Sequence, residues 1–364
     1  MKFIVNRDEI IEPLQIVFGA VAKKQASVIL SNILIKVSNG EVEMIGTDNE
    51  MEMRARIPAQ VVQEGTFTLS ARKFLDICKS IPSKLDITVQ VDAERVKISA
   101  GRSRFSVATL PAESFPSTEL HEFTGSITLE EKHLKRIIEK TSFAMGVSDV
   151  RYFLNGMLLD LQAQQIFAVA TDGHRLALNR HEFDSEIESQ ILIPNKSITE
   201  LSRLLKESDA PVQIDITPTH IQFHIHQVIF ITKLIDGRYP EYRMVIPRDL
   251  DNYFIANREE LRQALSRAAI LSNEKFKGVN MQLSENQIHL QAHNTEEEEA
   301  EEELEVEYSG EKMSVSFNVL YLIEILNTIN EEKVQVSVPS ATSSCLLKGV
   351  GNEDGQYVLM PMRL

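Results

Sequence analysis

A chain of 364 residues with 43 % apolar and 25 % charged side chains has room for two or three ordinary domains and carries no compositional mark of disorder. Its first residues, Met1-Lys2-Phe3-Ile4-Val5-Asn6-Arg7, lack the apolar core of a secretory signal and no apolar run approaches the ~20 residues of a membrane span, so a cytoplasmic address is expected and a membrane partner is not. Two cysteines, Cys78 and Cys345, argue against a disulfide framework and read as buried small apolar residues, while a net charge of −15 opposes a wholly phosphate-binding surface and leaves room only for a local basic face.

In chain order, the first element is a strand-like run at Phe3 leading into a cap and a helical pattern, Asn6-Arg7-Asp8-Glu9-Ile10, whose Ile10, Ile11, Leu14 and Val17 share one stripe. Pro13 inside that pattern removes a helical hydrogen bond and predicts a kink or a later start. An alternating run then ends in a turn, Met44-Ile45-Gly46-Thr47-Asp48-Asn49-Glu50. Strand, cap and helix follow at Phe67-Thr68-Leu69-Ser70-Ala71-Arg72-Lys73-Phe74, and Phe105-Ser106-Val107 is a closing strand. The same series returns as Ile127-Thr128-Leu129-Glu130-Glu131-Lys132, Phe167-Ala168-Val169-Ala170-Thr171-Asp172-Gly173-His174, Ile191-Leu192-Ile193-Pro194-Asn195-Lys196-Ser197-Ile198 and Ile229-Phe230-Ile231. A third pass runs through Asn257-Arg258-Glu259-Glu260-Leu261, with the stripe Leu261, Leu265, Ala268 and Ala269, then Leu290 to Glu296, Val315 to Tyr321 and Tyr357-Val358-Leu359.

Phe3 to Ile127, Thr47 to Thr171 and Phe67 to Ile191 are each 124 positions apart, a register that chance similarity does not keep. The chain therefore reads as three tandem α+β domains, 1–125, 126–250 and 251–364, each with two helices and roughly eight short strands.

On or beside the helices, away from the stripes, basic residues recur in every repeat: Arg7, Arg72, Lys73 and Lys79; Lys132, Lys135, Arg136, Lys196, Arg203 and Lys206; Arg258, Arg262, Arg267, Lys275 and Lys277. Helices ~8–10 Å apart close a circle only about 17 Å across when six come from one chain, whereas twelve from two chains leave about 25 Å inside their side chains. Duplex DNA, about 20 Å wide, passes through the larger ring, touching phosphates without reading bases.

No phosphate loop, nucleophile elbow or H-E-x-x-H motif is present. His220, His224 and His226 lie on an alternating run and could share one strand face as metal ligands, though no nearby carboxylate or cysteine completes the set in the sequence. Asp172-Gly173-His174 offers an acid beside a base, yet Asp48-Asn49-Glu50 and His293-Asn294-Thr295 at the matching turns favour a structural turn of the repeat. An enzyme is therefore not expected, nor a cofactor; a scaffolding oligomer without nucleic acid is the remaining alternative.

The chain resembles the bacterial DNA polymerase III beta subunit family, the replicative sliding clamps, along its whole length. The stretches that carry the resemblance are Gly46-Thr47-Asp48, Ser70-Ala71-Arg72-Lys73-Phe74, Gly101-Arg102-Ser103-Arg104-Phe105, Asp149-Val150-Arg151-Tyr152, Thr171-Asp172-Gly173-His174-Arg175-Leu176, Leu271-Ser272-Asn273-Glu274-Lys275-Phe276 and Met360-Pro361-Met362-Arg363-Leu364. The resemblance implies a DNA clamp fold and a head-to-tail homodimer of six domains around DNA. It also implies an ATP-driven clamp loader, with its delta subunit, and further partners: the polymerase III alpha subunit, other clamp-binding polymerases, ligase and mismatch-repair proteins. It implies a pocket for their short peptides, one half formed by Leu154, Thr171, Gly173, His174, Arg175, Leu176, Pro240, Val245, Val358 and Met360. The other half is Asn318, Tyr321, Thr342, Pro361, Met362 and Arg363. Met244 and Thr342 replace an expected Arg and Val, so the rim's peptide preference is expected to differ.

For DNA the resemblance implies Lys23, Lys24, Arg72, Tyr152, Phe153, Lys196 and Phe276, with Ser148 replacing an expected Gln. For the dimer it pairs Lys73, Arg102, Arg104, Phe105 and Val107 of the first domain with Ile270, Leu271 and the acidic run containing Glu297, Glu299, Glu302 and Glu303 in the third. Consuming an open strand edge in a charge-matched joint also prevents promiscuous pairing.

Overall fold

The computed structural model describes residues 1–21, 27–92, 94–119, 122–248 and 250–362. Among these are six helices: α1 (Arg7–Gly19), α2 (Ala71–Ser80), α3 (Glu131–Glu139), α4 (Asn195–Leu204), α5 (Arg258–Ala268) and α6 (Val319–Thr328), two in each repeat. Each repeat contributes eight strands in the same order, and the first adds a short ninth, Gln60–Gln63. None of the described helices is long and apolar enough to cross a membrane.

The chain forms two compact units, Met1–Leu134 with Thr199–Leu234, and Lys135–Ile198 with Ile235–Leu364. Their boundaries fall inside α3 and α4, so the middle repeat is shared. Its strands Gly125–Glu130, Pro211–Ile216, His220–Ile225 and Val228–Lys233 join one eight-stranded sheet with Met51–Pro58, Glu41–Thr47, Asn32–Ser38 and Gly65–Ser70. Its strands Ser189–Pro194, Gly156–Gln162, Gln165–Thr171 and Arg175–Glu182 join another with Gly355–Leu359, Cys345–Gly349, Lys333–Ser337 and Tyr253–Asn257.

At the middle of each eight-stranded sheet the closing strand of one repeat meets the strand after the turn of the repeat before it. Val228–Lys233 pairs antiparallel with Met51–Pro58, Phe230 opposite Met53. Gly355–Leu359 pairs with Arg175–Glu182, Tyr357 opposite Ala177. Two equivalents remain as sheet edges: Ser103–Ala108, which closes the first repeat, and Glu299–Glu305, which follows the turn of the third.

In the first unit α1 buries Ile10, Leu14 and Val17 against Phe3, Ile33, Met44 and Phe74, so the sequence stripe is the core. The strand Glu41–Thr47 comes so close to α1 that a Cβ on Gly46 would stand 2.5 Å from the Val17 carbonyl oxygen, an approach only glycine permits. α1 begins at Arg7 and runs through Pro13, so of the two alternatives at that proline, a kink or a later start, the later start does not occur; burial of the stripe outweighs the one lost hydrogen bond. Both thiols are buried, and burial pushes Cys78 and Cys345 up to about 12.

Each repeat ties the first residue of its first helix to the end of its second. Arg7 donates to the carbonyls of Cys78 and Lys79 at 3.3 and 3.4 Å, and Arg258 to that of Leu326 at 3.2 Å, satisfying orphan carbonyls at the ends of α2 and α6. These two arginines, expected on a phosphate-facing surface, are thus committed within the fold. In the middle repeat Glu131 stands in that place and the polarity inverts: its fully buried carboxylate accepts from the Lys206 amide at 2.8 Å, the Ser208 hydroxyl at 2.6 Å and His226 Nε2 at 3.1 Å.

Burial alone would raise the Glu131 pKa, but the Ser208 and Lys206 hydrogen bonds with His226 reverse this and hold it below its ordinary 4.5. A carboxyl depressed on folding contributes stability above its unfolded pKa and loses it as pH falls through the folded value. We therefore expect thermal melts to show stability declining below about pH 4.5. Glu131→Gln should lower stability at pH 7 by about 1–3 kcal/mol, because buried donors lose a charged acceptor, and should flatten part of the acid decline. Identical melts for the two proteins across that range would contradict the assignment.

Candidate functional site

The second unit holds an apolar cavity of about 250 Å³. Leu176 lies opposite Val358 across the pair that joins the middle and last repeats. Beyond them Leu154 closes one side, the turn Thr171 to Arg175 another, and Pro240 with Val245 a third. Of the peptide set expected from the sequence, Leu154, Thr171, Gly173, Arg175, Leu176, Pro240, Val245, Val358 and Met360 line this one space. His174 is exposed beside it, and its carbonyl accepts from the Met360 amide at 2.9 Å.

Arg151, Glu241 and Tyr242 also line the cavity and were missed, although Tyr242, an aromatic two positions after Pro240, was a visible signal. Phe153, expected to face DNA, instead packs on the core and lines the cavity; its neighbour Tyr152 is the exposed ring.

Two turns of the repeat share one geometry. Asp172 accepts from the His174 and Arg175 amides at 2.9 and 3.0 Å, and Thr171 donates to the Arg175 carbonyl at 2.5 Å. In the first repeat Asp48 accepts from Glu50 and Met51 at 3.0 and 2.9 Å, and Thr47 donates to Met51 at 2.8 Å. The residue between has φ of 87° at Gly173 and 74° at Asn49, so this is a side-chain-stabilised turn in both places. Nothing in it pairs an acid with the His174 ring as catalysis would need.

Arg175 is only 8 % exposed and links the cavity to α6. Its guanidinium pairs with Asp172 at 3.1 Å and with Glu324, donates to the Phe143 carbonyl at 2.7 Å, and stacks 4.2 Å from the Tyr321 ring and 5.1 Å from that of Phe143. Fully partnered, it is a wall and not a free charge. Arg151 holds Asp149 at 2.8 Å, and this hydrogen bond lowers the Asp149 carboxyl to about 2.

Of the second expected half, Asn318 caps α6 by accepting from the Leu320 and Tyr321 amides at 3.0 and 3.3 Å. Tyr321 is half-buried, which raises its pKa. Met362 donates its amide to Ser316 at 2.7 Å, Pro361 is half-buried beside it, and Thr342 is exposed; Arg363 lies outside the described residues. An outer groove of about 650 Å³ adjoins the cavity at Val245 and Met360, and Met244, 77 % exposed, forms its lip with Pro339 and Ser344.

Lys23 and Lys24, expected at DNA, fall outside the described residues. Arg72 is exposed on α2 and paired with Asp76 at 2.9 Å, Lys196 is exposed at the start of α4, and the Phe276 ring is exposed with Lys275 over it at 5.3 Å. Of the dimer set, Lys73, Arg102 and Arg104 are exposed and Phe105 is half-buried, whereas Val107 points into its own core. On the other edge Glu297, Glu299 and Glu303 are exposed, Glu302 forms a two-pronged pair with Arg267 at 2.6 and 2.8 Å, and Ile270 is 77 % exposed beside half-buried Leu271.

The histidines do not form a metal site: His224 faces Asp215 at 2.8 Å, His226 faces Glu131, and His220 contacts Thr219 at 2.9 Å. No group of potential ligands converges among the described residues.

Family models of the DNA polymerase III beta subunit match in order: the N-terminal domain over residues 1–119, the central domain over 128–241 and the C-terminal domain over 243–363. The chain is 43 % identical to the beta sliding clamps of Pseudomonas putida and of Escherichia coli strain K12, each covered end to end with this chain. It superposes on the crystal structure of the DNA polymerase III subunit beta from Pseudomonas aeruginosa with a TM-score of 0.98 at 41 % identity, both chains covered in full. A sliding clamp of the same organism, solved bound to griselimycin, matches with a TM-score of 0.97 at 42 % identity over both full lengths. With its repeat-built sheets and full-length matches, the chain belongs to the DNA polymerase III beta subunit family, the beta sliding clamps, which are processivity factors of DNA replication and not catalysts.

Proposed function

We propose that two copies close head to tail into a ring of six repeats around duplex DNA, and that the cavity holds short peptides of the proteins so tethered. One observation carries the reading: the pairing rule satisfied twice within the chain leaves one donor edge and one acceptor edge open. A single chain has both, so a second copy can complete them reciprocally, and a heterologous contact of this kind gives a ring where the rotation between copies closes and a filament where it does not. Ala300 faces Ala292 as Met53 faces Gly46 and Ala177 faces Ala170, so carrying the register Phe230 with Met53 and Tyr357 with Ala177 one repeat further sets Phe105 opposite Ala300 and Arg104 opposite Glu301 of the second copy. Basic side chains on one edge then meet acidic ones on the other, which favours this pairing over like with like.

The folding repeats are 1–125, 126–250 and 251–364, with the middle one completing sheets on either side. Exposed Arg72, Lys196, Tyr152 and Phe276, with Lys23 and Lys24, serve DNA through phosphate and stacking contacts that carry no sequence information. Leu154, Leu176, Val358 and Val245 accept apolar anchors, while Asn318, Tyr321, Thr342 and Pro361 to Arg363 orient the chain beside them. The tethered proteins are the polymerase III alpha subunit, the clamp loader through its delta subunit, other polymerases, ligase and mismatch-repair proteins. Replication of DNA places the ring in the cytoplasm. Griselimycin, bound by the Pseudomonas aeruginosa relative, is the natural probe of the cavity.

The test is topological. Sedimentation should give twice the 41.2 kDa chain mass, and loaded protein should stay on nicked circular DNA at salt that screens phosphates but leave once the circle is cut. Processive primer extension by a cognate polymerase should rise in parallel. A dimer that leaves circular and linear DNA equally fast, or that gives no stimulation, would favour a scaffold without nucleic acid.

A further inference from the structure

Between the strands Val228–Lys233 and Tyr253–Asn257 the described residues 235–248 and 250–252 form no strand, yet they supply Pro240, Glu241, Tyr242 and Val245 to the cavity and Met244 to the outer groove. A wall made of irregular backbone must be fixed by its side chains, since no sheet ladder does it. Tyr242, at the head of the short 3₁₀ turn Tyr242–Met244, is 2 % exposed and presents its ring to the cavity. Its hydroxyl donates to Asp160 Oδ2 at 2.7 Å. Arg243 donates to the same oxygen at 2.9 Å, with its guanidinium 4.5 Å over the Tyr242 ring and 5.4 Å over that of Phe167. The Gln162 amide at 3.0 Å holds the carboxylate in place on the strand Gly156–Gln162. Asp160 itself lies behind the wall, 3 % exposed, and is not among the cavity's lining residues.

We infer that Asp160 is a positioning residue for the cavity: it pins the Tyr242–Val245 segment through the Tyr242 hydroxyl and the Arg243 guanidinium, and so sets the width of the mouth between the cavity and the outer groove. The inference rests on the peptide reading of that cavity. It deepens it by placing the control of affinity one layer behind the contact surface, where a buried carboxylate with two donors from consecutive residues leaves the turn little freedom.

The experiment is calorimetric titration of the full-length dimer with griselimycin. Asp160→Asn and Tyr242→Phe are each expected to weaken binding about tenfold, the order expected when one partner of a buried hydrogen bond is lost. Both variants should keep the dimer mass and the retention on nicked circular DNA, and the Val245 methyl resonances should move in each. Because both changes release the same pin, the double variant should be no weaker than either single one. If Asp160→Asn fails to fold, Tyr242→Phe, which keeps the ring and removes only the hydroxyl, carries the test. Affinity within twofold of the parent in Tyr242→Phe, or additive losses in the double variant, would overturn the inference. Leu176→Asp separates it from the reading beneath: it should abolish binding outright, and undiminished binding there removes the cavity as the site and the positioning role with it.

Discussion

Deleting Met360–Leu364 is expected to abolish stimulation of primer extension while the protein stays a dimer. Met360 lines both the cavity and the outer groove, so its loss opens the wall they share. Met362 adds a bridge to Ser316, beside the cap of α6 at Asn318, so the same deletion also frees the α6 side of the site. Met360 is 40 % exposed, and the part of it that a peptide covers, at about 25 cal/mol per Å² of apolar surface, together with the lost wall weakens a peptide about tenfold or more. The edge strands Ser103–Ala108 and Glu299–Glu305 are not touched, so sedimentation should be unchanged. Stimulation equal to that of the intact chain would remove the pocket from the proposal, whereas loss of the dimer would show that the tail serves assembly.

Ile270→Ala together with Leu271→Ala is expected to turn the dimer into monomers at micromolar concentration. Ile270 is the large apolar side chain left in water by the turn Ala269–Leu271, at the foot of α5 and beside the acidic edge. A single exposed aliphatic side chain is ordinary, so what singles out Ile270 is its place beside the open acidic edge, where a second copy would cover it. Truncation of a covered Ile or Leu costs about 2–5 kcal/mol, and in a ring with two equivalent joints each change counts twice. A total on the order of 8 kcal/mol or more raises the dissociation constant by at least five decades. The charge match at the edges does not rescue it, because exposed ion pairs contribute only about 0–1 kcal/mol each. Sedimentation at several concentrations decides the matter, and a variant that remains dimeric would move the joint away from these residues.

Much of the fold was legible because the repeat is written in spacing. Strand, cap and helix keep their order in all three passes, and Asn6, Asn257 and Asn318 cap helices as their position before an apolar stripe implied. The turn at Thr171-Asp172-Gly173 could be read as structural because Thr47-Asp48-Asn49 repeats it, and the hydrogen bonds agree. The inward side of each helix was also legible, since apolar periodicity reports what must leave water.

Other features depended on neighbours far away in sequence. That Arg7 and Arg258 serve helix ends, and that Glu131 does the converse job, is invisible in a list of basic residues: what matters is which carbonyl or amide lies within hydrogen-bond reach. Phe153 and Tyr152 are adjacent and chemically alike, yet one lines a cavity and the other faces water, because a 3₁₀ turn points consecutive side chains in different directions. Asp160 joined the site through Tyr242, 82 positions later, and its neighbour Arg243.

The sequence by itself determined the three-part plan, the helix faces, the caps and the turns, since these follow from local propensity and period. Only the tertiary structure decided that the closing strand of each repeat completes the sheet of its predecessor, which edges are left open, and which side chains share a cavity. The reason is physical: periodicity states that a face must be covered, but the partner that covers it is chosen by backbone hydrogen bonds and packing between segments more than a hundred residues apart.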